Sequence, residues 1–240
     1  MSRQVHLSRL EDAEKIDISH RDYLVYFSFH SDLYNAIQKY ARGKLIDIGC
    51  GNKPYAKWTE GKVSEYVGCD VVQSSSNKVD VLCEANNIPL GSNSFDTVLS
   101  TQVIEHVEDH QGLVNEAYRL LKSEGYFILS GPMYWNLHEE PYDFFRFTSY
   151  GFKYILEKAG FEVCEIISNG GAWATLGQVI NHTFSFRNPN ASKVVRLIKY
   201  VFRKLKFQVL VNKIFNYLDH NDLNTVNTMN YVVIAKKSKK

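Results

Sequence analysis

The stretch that decides the fold is "LIDIGCG", residues 45–51. Its apolar run stops at Gly49, which is the pattern of a buried strand that ends in a turn. Glycine permits left-handed backbone angles and a close approach that a side chain would block. The glycines on either side of Cys50 therefore predict a turn against which a ligand lies.

Strand and helix patterns alternate from about residue 44 onward. Two helices have clear ends: one in 108–125 stops at Gly125, and another starts at Thr148 or Ser149 and stops at Gly160. This alternation predicts an α/β fold, a mostly parallel sheet with helices on both faces. The seven strand-like runs are 44–49, 65–72, 79–83, 95–100, 126–131, 161–167 and 230–236.

Composition bounds the class of protein. The chain has 240 residues, of which 45% are hydrophobic and 22% charged, so it can bury a sizeable core and is not of the disordered class. No apolar run approaches the roughly 18 residues of a membrane span, and the polar start lacks a signal-peptide core. These features predict a soluble cytoplasmic protein. Its four cysteines are scattered without CxxC spacing, which predicts neither a metal site nor a disulfide.

An acid at the end of the second predicted strand indicates a nucleoside. Asp70 lies about 20 residues beyond the glycine turn, where an acid can accept both hydroxyls of a ribose. A dinucleotide fingerprint needs a third glycine, but the turn continues with Asn52, Lys53 and Pro54. A nucleotide-dependent oxidoreductase therefore remains only as a minor alternative.

Four segments in order resemble the class I S-adenosylmethionine-dependent methyltransferases, in particular the small-molecule and glycan type with a type 11-like domain. They are "LIDIGCG", "VGCD", "CEANNIPLGSNSFDTVLSTQVIEHV" and "LLKSEGYFILSGP". The resemblance covers roughly residues 44–168 and the last strand. It implies a Rossmann-like seven-stranded sheet whose last strand is antiparallel. The implied cofactor is S-adenosylmethionine, and its product is S-adenosylhomocysteine.

The resemblance also implies which residues hold the cofactor. Asp47 would organise the turn and bind the ammonium group, and Asp70 would bind the ribose. Glu84 stands where the family usually has aspartate to read the adenine. S-adenosylmethionine carries no phosphate, so two glycines suffice. The implied cofactor-binding set is Asp47, Gly49, Cys50, Gly51, Asp70, Val71, Glu84, Ala85, Ser100, Thr101 and Gln102.

Residues 134–152, "YWNLHEEPYDFFRFTSYGF", carry the signal for the acceptor. They resemble a stretch of bacterial methyltransferases that accompany glycan and secondary-metabolite assembly, and aromatic rings interleaved with acids suit a sugar. In the alternative interpretation the segment is a packed lid, in which Arg146 simply pairs with Asp143. The substrate-binding candidates are Tyr134, His138, Glu139, Tyr142, Asp143 and Arg146, and the catalytic candidates are His138, Asp143 and His106.

The segment before the last strand predicts a basic amphipathic helix. Residues 191–217 carry seven Lys or Arg and no acid, and Val194, Ile198 and Val201 share an apolar face. Such a helix fits peripheral contact with the inner membrane face, or a cover over the substrate pocket. Nucleic acid is a weaker candidate because the basic charge is local.

The sequence thus predicts one structural domain in four parts. They are a helical lid (1–43), the methyltransferase core (44–168), an inserted helical segment (169–228) and the last strand with a basic tail (229–240). The expected activity is methyl transfer to a small-molecule or sugar acceptor, with oxygen favoured over nitrogen and carbon. A protein that binds S-adenosylmethionine without catalysis is the principal alternative.

Overall fold

The structure is a computed structural model that describes residues 16–186 and 188–239. The first fifteen residues of the predicted lid therefore lie outside the described residues. The helices and strands are α1 (Tyr23–Tyr40), β1 (Gly43–Ile48), β2 (Val63–Asp70), β3 (Val81–Leu82), β4 (Phe95–Thr101), α2 (His110–Leu120), β5 (Leu121–Pro132), α3 (Ser149–Ala159), β6 (Glu162–Asn169), α4 (Ala172–Ser185), α5 (Lys193–Lys204), α6 (Phe207–Asn221) and β7 (Asn230–Lys236).

Seven strands form one sheet in the order β3-β2-β1-β4-β5-β7-β6. β1 runs parallel to both β2 and β4, and β4 runs parallel to β5. β7 runs the other way, because the residue that follows it pairs with the start of β5: Lys237 N donates to Gly125 O at 3.0 Å, and Glu124 N donates to Lys237 O at 2.6 Å. The prediction of a mostly parallel sheet with an antiparallel last strand is confirmed.

β1 lies in the middle of the sheet, which explains its apolar sequence. Leu45, Ile46 and Ile48 are each 0% exposed, as expected for a parallel strand that is covered on both faces. The order of the strands reverses between β1 and β4. Ligands of open α/β sheets bind beyond the carboxyl ends of the strands at such a reversal.

Capping residues fix the ends of α3 where the sequence predicts them. The Thr148 side chain accepts a hydrogen bond from Gly151 N, and Gly160 takes the left-handed conformation with φ +98°. The predicted stop at Gly125 is wrong, because α2 ends at Leu120 and Gly125 lies inside β5. A Cβ at Gly125 would lie 2.8 Å from Leu121 Cδ2 and 3.0 Å from Asp96 O, so this glycine serves close packing of the strand rather than a helix end.

The described chain falls into two compact units. The first contains residues 32–167 and 231–239, and the second contains residues 16–31 and 168–230. In the second unit the single basic helix of the sequence interpretation is two helices, since Lys206 between α5 and α6 has a left-handed φ of +51°. α5 is anchored by Phe202, whose ring stacks on Phe184 at 4.6 Å.

A buried acid organises the polar centre of the second unit. The Asp22 carboxylate is 5% exposed and interacts with Arg21 Nη2 at 2.9 Å, His182 Nε2 at 2.8 Å and Gln178 Nε2 at 3.0 Å. Burial alone would raise the pKa of Asp22, but hydrogen bonds from His182 and Arg21 outweigh it and lower the pKa to about 2. The ionised form of Asp22 therefore stabilises this unit.

We expect Asp22→Asn to lower the free energy of unfolding by about 2 kcal/mol near neutral pH, because one pKa unit corresponds to about 1.4 kcal/mol. Since the folded pKa is depressed, the stabilisation is present above the unfolded pKa near 3.9 and is lost as pH falls towards about 2. Urea unfolding at about pH 7 and about pH 3 should show the difference shrink in acid. Glu157→Gln, at an exposed position of α3, is the control. Equal losses for Asp22→Asn at both pH values would contradict the argument.

Candidate functional site

The end of β1 forms a tight turn that only glycine can make. Gly49 N and Cys50 N both donate to Cys69 O, at 2.8 and 3.0 Å. Gly49 and Gly51 have left-handed φ values of +78° and +48°. A Cβ on Gly49 would also lie 2.3 Å from Val103 Cγ2. The turn thus needs glycine both for its backbone conformation and for the room beside it.

Two carboxylates lie at this turn with different surroundings. Asp70 Oδ2 accepts a hydrogen bond from Gly51 N at 3.1 Å, and Asp70 Oδ1 accepts one from Val72 N at 3.2 Å. Asp47 is 1% exposed, and Tyr66 OH donates to its Oδ2 at 2.6 Å. Its Oδ1 has no hydrogen-bond partner among the described residues. Burial raises the pKa of Asp47 to about 7, the Tyr66 hydrogen bond opposes this, and the Asp70 charge adds to it.

The remaining members of the predicted cofactor set differ in exposure. Cys50 is buried, and burial raises the pKa of its thiol, so it is not ionised near neutral pH. Val71 is half-buried directly after β2, and Ala85 is half-buried two residues past Cys83. The Glu84 side chain is exposed. All four follow strands β1, β2 or β3, which are parallel neighbours and therefore end at the same edge of the sheet.

The end of β4 is tied to its neighbours by side chains. Ser100 is 0% exposed, and its hydroxyl donates to Ile48 O at 3.0 Å. Gln102 has a left-handed φ of +55°, and its Nε2 donates to Ser130 Oγ at 3.1 Å. Thr101 between them is half-buried. The hydroxyl of Ser100 thus joins β4 to β1. The left-handed Gln102 ends β4, and its side chain is held by Ser130.

A buried acid and a buried histidine follow in the short 3₁₀ turn Ile104–His106. Glu105 is 0% exposed, and neither of its carboxylate oxygens has a hydrogen-bond partner among the described residues. His106 Nδ1 lies 2.8 Å from Tyr142 O, and His106 Nε2 lies 3.8 Å from Glu105 Oε1. Burial raises the pKa of Glu105 to about 8 and lowers the pKa of His106. Glu105 was missing from the predicted site, although an acid inside the apolar run "QVIEHV" was an available signal.

His138 lies opposite this turn and is oriented by an acid. The two imidazole rings of His106 and His138 are 4.6 Å apart at an angle of 73°. Asp143 Oδ2 accepts a hydrogen bond from His138 N at 3.0 Å and lies 3.3 Å from His138 Nδ1. Arg146 clasps the same carboxylate, with Nη1 to Oδ1 at 2.6 Å and Nη2 to Oδ2 at 2.8 Å. Asp143 thus holds the histidine and the loop together.

Asp143 is held in its ionised form by its contact with Arg146. Burial would raise the pKa of Asp143, but the hydrogen bonds from Arg146 and from His138 N lower it to about 2. The Arg146–Asp143 contact that the sequence left as an alternative is therefore present. Tyr134 is 39% exposed, and Glu139 and Tyr142 are half-buried on the same loop. Both Asp143 oxygens already accept hydrogen bonds. The side chains of Tyr134 and Glu139 are therefore more accessible to a ligand than the Asp143 carboxylate is.

Backbone hydrogen bonds fix this loop against the turn at Glu105. Phe144 N and Phe145 N both donate to Glu105 O, at 2.9 and 3.2 Å. Phe147 N donates to Pro132 O at 3.0 Å, where β5 ends. The structure therefore brings His106 and His138 together beyond the ends of β4 and β5, beside the glycine turn that contacts Val103.

Known proteins resemble parts of this chain in sequence. Residues 46–129 match the family described as a methyltransferase domain. A protein of Mycolicibacterium smegmatis named "Probable S-adenosylmethionine-dependent methyltransferase" is 29% identical over 119 residues, 45% of this chain and 45% of that protein. The match thus spans about half the length of the relative.

Solved structures show the same fold at low sequence identity. A SAM-dependent methyltransferase from Archaeoglobus fulgidus has a TM-score of 0.55 and 20% identity, over 91% of this chain and 95% of that one. The [4+2]-cyclase SpnF has a TM-score of 0.56 and 13% identity, over 87% of this chain and 82% of that one. At these identities the likeness shows the fold alone.

We expect Tyr66→Phe to raise the pKa of Asp47 above about 7, because the Tyr66 hydroxyl is the hydrogen bond that favours the ionised carboxylate. Carbon-13 NMR titration of the Asp47 carboxyl group measures this, with Asp47→Asn used to assign the signal. Tyr118→Phe, in the same unit, is the control and should leave the titration unchanged. An Asp47 pKa that stays the same or falls in Tyr66→Phe would contradict the role given to this hydrogen bond.

Proposed function

We propose that this chain, whose residues 46–129 match the methyltransferase-domain family, is an S-adenosylmethionine-dependent methyltransferase that transfers a methyl group to a hydroxyl of a small polyhydroxy or sugar acceptor. The observation that carries the proposal is the Asp47 carboxylate, which is buried at the glycine turn with one oxygen lacking a hydrogen-bond partner among the described residues. A buried carboxylate oxygen of this kind is costly unless a ligand completes it.

The residues at the turn fit S-adenosylmethionine, the cofactor of the family. Asp47 Oδ1 suits the ammonium group of the methionine portion, because an ionised acceptor makes a strong hydrogen bond to a cation. Gly49 and Gly51 let the backbone approach the ligand, since neither carries a side chain and both are left-handed. Asp70, at the end of the neighbouring strand, suits the ribose hydroxyls. The wider set proposed for the cofactor comprises Cys50, Val71, Glu84, Ala85, Ser100, Thr101 and Gln102.

The chain contributes orientation and acceptor activation to the reaction. S-adenosylmethionine, when bound, supplies a methyl group on a positively charged sulfur, and this sulfur keeps the bonding electron pair to give S-adenosylhomocysteine. The turn at Gly49 and the loop at His138 lie at one edge of the sheet, so they align donor and acceptor for an in-line displacement. His106 and His138 are the groups that activate the acceptor hydroxyl for loss of its proton.

The tautomer of His106 follows from its hydrogen bond. A carbonyl oxygen can only accept, so the contact of Nδ1 with Tyr142 O places the ring proton on Nδ1 and the lone pair on Nε2. Burial lowers the pKa of His106, so the neutral ring prevails near neutral pH. Tyr134, Glu139 and Tyr142 would contact the acceptor, with the aromatic rings against the apolar faces of a sugar.

Turnover of methyl-labelled S-adenosylmethionine on a panel of sugars, polyols and phenols tests the function. Because SpnF, named a [4+2]-cyclase, shares the fold, the assay must follow the label into the acceptor and not only cofactor binding. Binding without transfer to any acceptor would favour a cofactor-binding protein without catalysis. Binding of a nicotinamide dinucleotide in place of S-adenosylmethionine would favour the oxidoreductase alternative.

We expect Asp70→Ala to weaken S-adenosylmethionine binding by about 1 to 3 kcal/mol, the scale of hydrogen bonds to an ionised acceptor. Titration calorimetry of the purified protein measures the loss. Glu65→Gln is the matched control, because Glu65 is an exposed acid on the same strand that pairs with Lys44. If Asp70→Ala binds as tightly as the control, Asp70 does not hold the cofactor.

We further propose that α5 attaches the protein to an anionic membrane surface. None of the helices within residues 16–186 and 188–239 has the length and hydropathy that crossing a membrane requires. Val194, Leu197 and Ile198 on α5 are 67%, 62% and 50% exposed. Exposed lysine and arginine side chains lie beside them on the same helix, at positions 193, 196 and 204. An exposed apolar stripe with adjacent cations is typical of helices that lie in the interface of a bilayer.

We expect salt-sensitive co-sedimentation with vesicles that contain anionic lipid, and weaker binding to neutral vesicles, because each cation near an anionic bilayer contributes about 1 kcal/mol. Lys193→Gln, Arg196→Gln and Lys204→Gln combined should reduce binding. Lys199 and Arg203 stay, since they donate to Phe186 O and Phe184 O and so hold the helix in place. Lys153→Gln with Lys158→Gln on α3 is the control for loss of charge. No binding at low salt would exclude this role for α5.

A further inference from the structure

We propose that Glu105, His106 and His138 bind a divalent transition-metal cation such as Zn²⁺, and that this cation binds and activates the acceptor oxygen. Each of these three side chains offers one ligand atom, and the three atoms lie within 4.8 Å of one another. The second part of the proposal rests on the proposed methyl transfer, while the binding of the cation stands on the geometry alone.

The distances suit a small cation. Ligand atoms about 2.1 Å from a tetrahedral ion are about 3.4 Å apart, and His106 Nε2 lies 3.8 Å from Glu105 Oε1. The His138 side chain is 27% exposed and lies on an irregular loop, so a shift of up to about 1.4 Å would bring it to the bonding distance. Two imidazoles and one carboxylate form a known catalytic zinc ligand set that leaves a position open for a substrate oxygen.

Both histidines are oriented in the way that metal ligands are. His106 Nδ1 contacts Tyr142 O at 2.8 Å, and His138 Nδ1 contacts Asn136 O at 3.2 Å and Asp143 Oδ2 at 3.3 Å. Oxygen acceptors at Nδ1 keep the ring proton there, so Nε2 is the ring nitrogen that would ligate an ion. A carboxylate behind a histidine is a common outer partner of metal-binding imidazoles, and Asp143 has this place behind His138.

Glu105 supplies the independent observation that a ligand belongs here. Its side chain is 1% exposed, and both of its carboxylate oxygens lack hydrogen-bond partners among the described residues. The charged groups that act on it are Arg146, Asp143 and Glu139. A cation bound by both carboxylate oxygens would supply the partner that they lack.

The place of the cluster explains what the cation would do. Glu105 and His106 follow β4, His138 follows β5, and Val103 is the residue that a Cβ on Gly49 would meet at 2.3 Å. The cluster is therefore next to the turn that would hold the cofactor, on the acceptor side. With a cation bound, the histidines act through it and not as bases: the cation lowers the pKa of a coordinated hydroxyl, whose proton passes to water before the oxygen bonds to the methyl carbon. The sequence-based expectation of no metal came from the cysteines, none of which belongs to this cluster.

The test uses Co²⁺ as a spectroscopic probe with the 240-residue protein after removal of metal by a chelator. We expect saturable visible absorption with one Co²⁺ per chain, which Zn²⁺ displaces. Glu105→Gln and His138→Gln should each weaken Co²⁺ binding at least ~10-fold, and Asp143→Asn by about 10- to 100-fold through misorientation of His138. His220→Gln, an exposed histidine of α6 in the second unit, is the control and should bind as the wild type does. Circular dichroism shows whether each variant is folded.

The outcomes separate this proposal from methyl transfer itself. Loss of label transfer on chelation, with S-adenosylmethionine binding retained and transfer restored by Zn²⁺, supports both parts. Label transfer that survives chelation, without a saturable Co²⁺ spectrum, overturns the cation and leaves the methyltransferase proposal standing. Absorption that is the same in His138→Gln and in the wild type also overturns it, because the loop position of His138 makes this variant the one least expected to misfold. Saturable Co²⁺ binding without any label transfer supports the cation site and refutes the methyl transfer.

Discussion

The arrangement on which the rest of the site depends is the set of backbone hydrogen bonds at the end of β1. The N–H groups of Gly49 and Cys50 converge on Cys69 O, and Gly51 N binds the Asp70 carboxylate. These bonds lock the turn to the end of β2, so the distance between the two strand ends is set by backbone geometry. Val103 packs directly over Gly49, which brings the segment after β4 to the same point. The positions of Asp70 and of the segment after Val103 are therefore tied to this one turn.

The sequence predicts the central strands well because their signals are local. The runs 95–100 and 230–236 correspond closely to β4 and β7, since buried parallel or central strands read as continuous apolar segments bounded by turns. The errors occur where pairing with another strand decides the outcome. β5 begins at Leu121, five residues before the predicted 126, because Leu121 pairs with Phe95 of β4 and Gly125 pairs with Lys237. The break at Lys206 is a single left-handed residue inside a helical pattern, which periodicity does not reveal.

The site is predicted unevenly for a related physical reason. Asp47, Gly49, Gly51 and Asp70 are recognisable from sequence because a turn after one strand and an acid after the next occur at a fixed spacing. Glu105 does not belong to a motif of fixed spacing. What distinguishes it is that its buried carboxylate has no hydrogen-bond donor among the described residues, and only the folded structure shows this. The partners of a side chain are a property of the folded chain. Sequence reasoning could name the Arg146–Asp143 pair as an alternative, but the fork of two short hydrogen bonds becomes evident only in three dimensions.

Three of the buried acids, Asp22, Asp47 and Glu105, differ in whether their carboxylate oxygens are hydrogen-bonded. Asp22 is as inaccessible as the others, yet Arg21, His182 and Gln178 all lie within hydrogen-bonding distance of its carboxylate. Asp47 and Glu105 are the carboxylates that retain buried oxygens without a hydrogen bond in the described part of the chain. Leaving a buried carboxylate oxygen without a hydrogen bond costs about 1 to 3 kcal/mol. The neighbours of Asp22 avoid this cost, whereas the protein neighbours of Asp47 and Glu105 do not. Asp47 precedes the glycine turn and Glu105 follows Val103, which that turn contacts. The unpaired oxygens therefore lie where a cationic group on the donor side and a cation on the acceptor side would both be stabilised.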